Sequence, residues 1–152
     1  MNRIKVVGVI GSEDSTKTGD KIAEELGKIL AQRGFALVCG GRGGIMQAAS
    51  KGVVEAGGLS IGILPENYKD AANPYIKLAI PSGIGFARNH IIVHTADVLV
   101  AIEGHYGTLS EIASALNLGK IVIGLYCNWH IEGMIYAKTP LEAADMAEKM
   151  IK

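Results

Sequence analysis

The chain has 152 residues, 49% apolar and 20% charged, with 15 Lys plus Arg matched by 15 Asp plus Glu. That length supports one core and is short for two. The even charge gives no electrostatic reason for a nucleic acid or an anionic membrane as partner, and no apolar stretch approaches the ~20 residues of a membrane helix.

The N-terminal M-N-R-I-K-V-V-G-V-I-G runs straight into a strand pattern over residues 4–10. It carries no small-residue cleavage site, so no signal peptide is expected. Residues 20–33 place Ile22, Leu26, Ile29 and Leu30 at helical spacing, and Gly34 supplies a stop. Residues 35–39 form a second strand, followed by G-G-R-G-G-I-M and a helix to about residue 55. A third strand covers 59–64, a polar loop 65–73 and a short strand 75–80. S-G-I-G then leads into a helix over about 86–95. Strands at 97–102 and 121–126 flank a helix over about 109–118. The last helix opens with T-P-L-E, in which Thr139 caps, Pro140 fits the first turn and Glu142 closes a capping box.

The strands are rich in Val, Ile and Leu without polar alternation, which predicts burial on both faces and a parallel sheet sandwiched between helices. Right-handed crossovers then bring the glycine-rich turns to the carboxyl edge of one sheet, where open α/β folds bind ligands. The expected fold is a single Rossmann-like domain spanning residues 1–152. Cys39 and Cys127 lie far apart with no C-x-x-C, as suits a reducing cytoplasmic setting.

Glycine is the compositional anomaly: 20 of 152 residues, about 13% against a usual ~7%. In V-C-G-G-R-G-G-I-M-Q at 38–47, Gly40, Gly41, Gly43 and Gly44 precede a helix. Its free N–H groups and positive dipole end favour an anion, although the motif matches neither G-x-G-x-x-G nor G-K-[ST]. A tight turn with close packing is the alternative. Gly11 and Ser12, at the end of the first strand, read equally well as a capping turn. In S-G-I-G-F-A-R-N-H at 82–90, Arg88 opens a helix, where the dipole disfavours a cation by ~0.3–1 kcal/mol unless an anion offsets it.

E-G-H-Y-G-T-L-S-E-I at 103–112 contains a capping box, Thr108 with Glu111, and on sequence physics alone capping outweighs catalysis. The cap leaves Gly104, Gly107, Glu103 and His105 unexplained. His90 and His94 share a helix face, but no glutamate lies between them and no third ligand follows, so packing is the expected role and no metal site is expected. Trp129 and His130 read as loop residues that could edge a pocket or an interface.

Together, G-G-R-G-G-I-M, G-F-A-R-N and A-D-V-L-V-A-I-E-G-H-Y-G-T-L-S-E-I resemble the Rossmann-like superfamily of Lonely Guy-type cytokinin-activating phosphoribohydrolases and molybdenum cofactor carrier proteins. The likeness covers about residues 4–126, and its densest part, 82–124, is closer to the carrier branch. It implies a protein that holds a phosphorylated pterin or nucleotide-like ligand, with the molybdenum cofactor or a nucleotide as the bound molecule. No cofactor is expected to be needed for folding.

In the hydrolase branch an arginine and the glutamate of P-G-G-x-G-T-x-x-E cooperate at an N-glycosidic bond. Arg88 and Glu111 fall on those positions, which implies the alternative of a nucleoside 5′-monophosphate phosphoribohydrolase. The ligand-holding positions implied are Gly11, Ser12, Gly40, Gly41, Gly43, Gly44, Met46, Asn89, Gly104, Gly107 and Thr108. The sequence departs from the hydrolase pattern at Glu103 (proline there), His105 (glycine), Asn89 (commonly lysine) and Cys39 (glycine). Glu103 is expected to add negative charge beside the phosphate. The resemblance also implies a homodimer or larger oligomer, with the helices bearing Arg88 and Glu111 at its interface.

Overall fold

The computed structural model describes residues 1–151. Seven strands form one all-parallel sheet: β1 (Val6–Gly11), β2 (Ala36–Cys39), β3 (Ser60–Leu64), β4 (Leu78–Pro81), β5 (Val98–Glu103), β6 (Val122–Cys127) and β7 (Ile135–Ala137). Their order is β4-β3-β2-β1-β5-β6-β7. The chain winds outward from β1 in one direction, crosses back to β5 and winds outward in the other. The switch point therefore lies between β1 and β5, where the loops leaving adjacent strands diverge and open a crevice.

The helices are α1 (Lys17–Gln32), α2 (Ile45–Glu55), α3 (Asn89–Thr95), α4 (Tyr106–Asn117) and α5 (Pro140–Ile151). Two cores result, one on each face of the sheet. Val7, Val9, Val100 and Ile102 pack with Leu26 and Leu30 of α1, Ala49 and Val53 of α2 and Ala143 and Ala147 of α5. Ile10, Val38, Leu99 and Ala101 pack with Ile92 and Val93 of α3 and Ile112 and Ala115 of α4. This double-sided burial is the Rossmann-like α/β sandwich that the apolar strands predicted.

Three details depart from expectation. The short strand β7 occupies Ile135–Ala137, where the sequence predicted no element. Helix α1 begins at Lys17 rather than 20, because the Thr16 side chain accepts a hydrogen bond from the Gly19 N–H and caps it. Helix α4 begins at Tyr106, with His105 at the cap position and no side-chain cap bond, so Thr108 is not the cap. Gly104 permits this early start. It sits at φ +110, and a Cβ there would lie 2.6 Å from the Thr108 methyl group. At the other end, Thr139 caps α5 as expected, its hydroxyl accepting from the Glu142 N–H at 3.1 Å.

Candidate functional site

A cleft of about 340 Å³ opens at the carboxyl edge of the sheet, over the switch point. The ends of β1 and β2, the approach to α3 and the first turns of α4 build it. Gly11, Ser12, Gly40, Met46, Arg88, Asn89, Gly107, Thr108 and Glu111 all line it. Gly41, Gly43, Gly44 and Gly104 do not. Gly41, at φ +76, backs onto Gly62 and Leu64, and Gly44, at φ +64, packs under the carbonyls of Ser12 and Glu13. For those two the tight-turn reading holds: each allows backbone to meet backbone where a side chain would collide. One helix-start donor of α2 is also spent internally, the Ile45 N–H bonding to the Ser12 carbonyl at 3.1 Å. Asn73 fixes the glycine loop from outside, donating its Nδ2 to the Arg42 carbonyl at 2.8 Å and its N–H to that of Gly41 at 2.9 Å.

Arg88 reaches the cleft from a 3-10 turn, Gly85–Arg88, that runs into α3. It is 7% exposed. One guanidinium nitrogen bonds to Asn89 Oδ1, another reaches the Gly40 carbonyl at 3.4 Å, and Nε is buried without a partner. Gly40 has no room for a side chain, because a Cβ would lie 2.6 Å from the guanidinium. Burial pushes the Arg88 pKa below its ordinary value, and the charge of Glu111 pulls it back up.

Glu111 is equally enclosed, at 8% exposure. Burial raises its carboxyl pKa to about 7, against the lowering effect of Arg88. The two groups act on each other through space without ion-pair contact, since the salt bridges of the described residues do not join them. Thr108 and Glu111 face the cleft together because residues three apart share a helix face. The same spacing made them look like a capping box.

Glu103 corrects the expectation of charge beside the ligand. It ends β5 in the left-handed region, at φ 52, next to an irregularity in the β5–β6 pairing. Its carboxylate accepts from the Thr16 N–H at 3.0 Å and the Thr16 hydroxyl at 2.6 Å. The charge therefore sits at the start of α1, where a helix dipole favours it, and does not line the cleft.

Several lining residues had no clear signal in the sequence. Arg42 crosses the rim, its Nε 2.8 Å from Glu13 and its Nη1 bonded to Glu66. It is the one cation inside the glycine run, which could have marked it. Phe86 lines the cleft although 83% exposed, and a bulky apolar residue two positions before Arg88 was its only trace. His105 stands at the mouth, 4.0 Å from Asp14. Trp129 lies outside, tilted against Tyr106 with ring centroids 6.1 Å apart and donating Nε1 to the His105 carbonyl at 3.1 Å. His90 and His94 lie on the exposed face of α3, and no cluster of metal-ligating side chains occurs among the described residues.

A parallel sheet with a crevice over its switch point, Arg88 and Glu111 in an otherwise largely apolar lining, defines a Rossmann-like α/β protein. The chain belongs to the SLOG cluster4 family, whose model matches residues 4–151. It is similar to the molybdenum cofactor binding protein of Rippkaea orientalis, with a TM-score of 0.94 and 35% identity over 99% of both chains. The molybdenum cofactor carrier protein of Chlamydomonas reinhardtii superposes with a TM-score of 0.90 at 31% identity, over 98% of this chain and 99% of that one. A cytokinin riboside 5′-monophosphate phosphoribohydrolase of Oryza sativa is 32% identical over 105 residues, 66% of this chain. The match spans 43% of that protein's length.

Proposed function

We propose that the protein is a carrier that binds a phosphorylated pterin or nucleotide-like ligand in the switch-point cleft, the molybdenum cofactor being the type of cargo its structural neighbours hold. The observation that carries this reading is the buried Arg88 guanidinium, one of whose donors has no partner while the side chain lines the cleft. A buried guanidinium with a donor unpaired is costly, and a phosphate in the cleft would offset its charge. The N–H groups of Gly107 and Thr108, in the first turn of α4, would add backbone donors to the same anion. Asn89 holds the guanidinium in place, and the ligand ring would lie against Met46 and Phe86.

One observation favours a second reading. A carboxyl group with its pKa near 7 is half protonated at neutral pH, so Glu111 could donate or accept a proton during hydrolysis. In a phosphoribohydrolase, Glu111 would stabilise the ribosyl centre or orient the attacking water while Arg88 held phosphate or hydroxyl groups. The carrier takes precedence because a molybdenum cofactor binding protein and a molybdenum cofactor carrier protein superpose over nearly the whole chain at 31–35% identity, whereas the hydrolase match covers 66% of it.

The test combines binding with turnover. Mass spectrometry of protein purified under mild conditions should find a phosphorylated pterin or nucleotide, and AMP at 100 times its dissociation constant should stabilise the fold by ~2.7 kcal/mol. Arg88→Gln should weaken AMP ten- to a hundredfold, the range of a charge-assisted bond worth ~1.5–3 kcal/mol. If no phosphorylated compound co-purifies or stabilises the fold, the carrier reading fails. Release of ribose 5-phosphate from AMP that vanishes in folded Glu111→Gln would establish the hydrolase instead. A homo-oligomer assembled through the face of α3 and α4 also belongs to this proposal.

A further inference from the structure

We infer that Glu103 is a positioning residue: its carboxylate ties the loop after β1 to the end of β5 and thereby sets the shape of the cleft. The inference rests on the ligand reading above and adds a residue that never touches the ligand.

The site needs two loops in register. One follows β1 and brings Ser12, Glu13 and Asp14 to the cleft; the other follows β5 and brings His105, Gly107 and Thr108. The two strands are hydrogen-bonded neighbours, paired up to Gly11 and Ile102, but beyond them the chains separate and the sheet no longer fixes their spacing. Glu103 is the first residue past that last pair. It is 5% exposed, and it closes the gap by accepting both the Thr16 N–H and the Thr16 hydroxyl. Thr16 in turn accepts from the Gly19 N–H at 3.0 Å, so carboxylate, cap and first helical turn form one chain of bonds.

The surroundings accommodate this contact. A Cβ at Gly19 would lie 2.4 Å from the Glu103 carboxyl carbon, so α1 meets the carboxylate at a residue without a side chain. The backbone of Glu103 takes the left-handed conformation and its carbonyl accepts from the Asn128 N–H at 3.3 Å, so the turn is held from the β6 side as well. A left-handed glutamate costs conformational energy that a glycine would not, and the pair of bonds to Thr16 compensates for it. On the cleft side, the loop that Glu103 anchors is braced by the Ser12 hydroxyl, which donates to the Asp14 carbonyl at 2.9 Å. The same Ser12 offers its carbonyl to the start of α2. Releasing Thr16 frees one end of this loop and leaves Ser12 attached to α2, so the displacement falls on Glu13 to Ser15, of which Glu13 and Asp14 line the cleft.

The experiment uses the full chain, AMP as probe and four variants: Glu103→Gln, Glu103→Ala, Thr16→Val and the Glu103→Ala/Thr16→Val pair. Dissociation constants are measured by calorimetry well below each melting temperature, and amide hydrogen exchange is followed at residues 12–16 and in α5. Glu103→Ala, which removes both bonds, should weaken AMP about tenfold; Thr16→Val, which keeps the backbone N–H bond, should weaken it less; and the double variant should bind no more weakly than Glu103→Ala. Glu103→Gln keeps an oxygen acceptor and should recover most of the affinity. Exchange should rise at 12–16 and not in α5. Lower melting temperatures with AMP affinity within twofold of the parent would overturn the inference, as would losses that multiply in the double variant. If the parent protein binds no AMP while exchange still rises locally, the tie stands and the ligand reading falls. Unchanged exchange at 12–16 overturns the tie whatever AMP does.

Discussion

At the level of single residues, the cleft depends on burying two ionisable groups that do not neutralise each other by contact. Glu111 is the more informative, because its pKa near 7 couples folding to pH. The unfolded chain ionises this group near 4.5, whereas the folded chain holds the proton up to about 7. Between those values the native state binds more protons, so stability falls as pH rises. The full contribution is present below about 4.5 and is gone above about 7, a loss on the order of 3 kcal/mol. Glu111→Gln should therefore be more stable than the parent at pH 8, about equal to it at pH 4.5, and flatter in between. Urea unfolding across that range measures this, and a parent profile that rises with pH and is unchanged by the substitution would refute it. Arg88 drew notice in the sequence as a cation where a helix dipole opposes it, whereas Glu111 read first as a cap and was singled out by the family resemblance; both line the cleft. The function of Glu103 was not. Its partner Thr16 lies 87 positions away, and nothing local to A-I-E-G-H indicates which way a left-handed residue turns its side chain.

The strands and helices follow patterns of apolar residues, and patterns are what a single sequence displays. Six of the seven strands and all five helices are anticipated by Val/Ile/Leu runs and 3.6-residue periodicity. Strand β7 is missed because I-Y-A is too short to show a period and gains its pairing only from β6. Helix ends are less legible, since a Thr-x-x-Glu spacing serves a cap and a shared helix face equally, and burial of Thr108 and Glu111 decides for the face. The mid-helix glycines of α1 and α2 are a further case. Gly27 and Gly52 lower helix propensity by ~1 kcal/mol each, with no visible reason in the sequence. The structure supplies one: a Cβ on Gly27 would lie 2.2 Å from the Ala49 carbonyl oxygen, and one on Gly52 would lie 2.0 Å from that of Glu24. The two helices cross backbone to backbone. Gly52→Ala should thus lower stability despite the better propensity, because forcing packed helices apart typically costs ~1–3 kcal/mol. At roughly 2–4 °C per kcal/mol for a chain of this size, a drop in melting temperature of several degrees is expected. A rise would mean that the helices separate without penalty.

Across the whole molecule the two faces of the sheet are unequally covered. Helices α1, α2 and α5 shield one face, while the other carries α4 and the seven-residue α3. On and around that second pair, Phe86 and Tyr106 are each more than 80% exposed, and Ile84, Ile91 and Leu118 also reach solvent. Scattered apolar residues are ordinary on a surface, but several large ones on and around one pair of helices would suit an interaction face. If a second copy covers this face, folding and association are linked, and the melting temperature must rise with protein concentration. Ile91 lies near the middle of α3 and away from the cleft lining, so Ile91→Glu places a charge in the contact without altering the site. Light scattering should find at least a dimer for the parent chain and a monomer for this variant, whose melting temperature should no longer depend on concentration. Because Phe86 belongs to both the cleft and the exposed face, dissociation should also weaken AMP. A parent chain that remains monomeric at every concentration tested would leave Phe86 to the ligand alone and remove the second copy from the account.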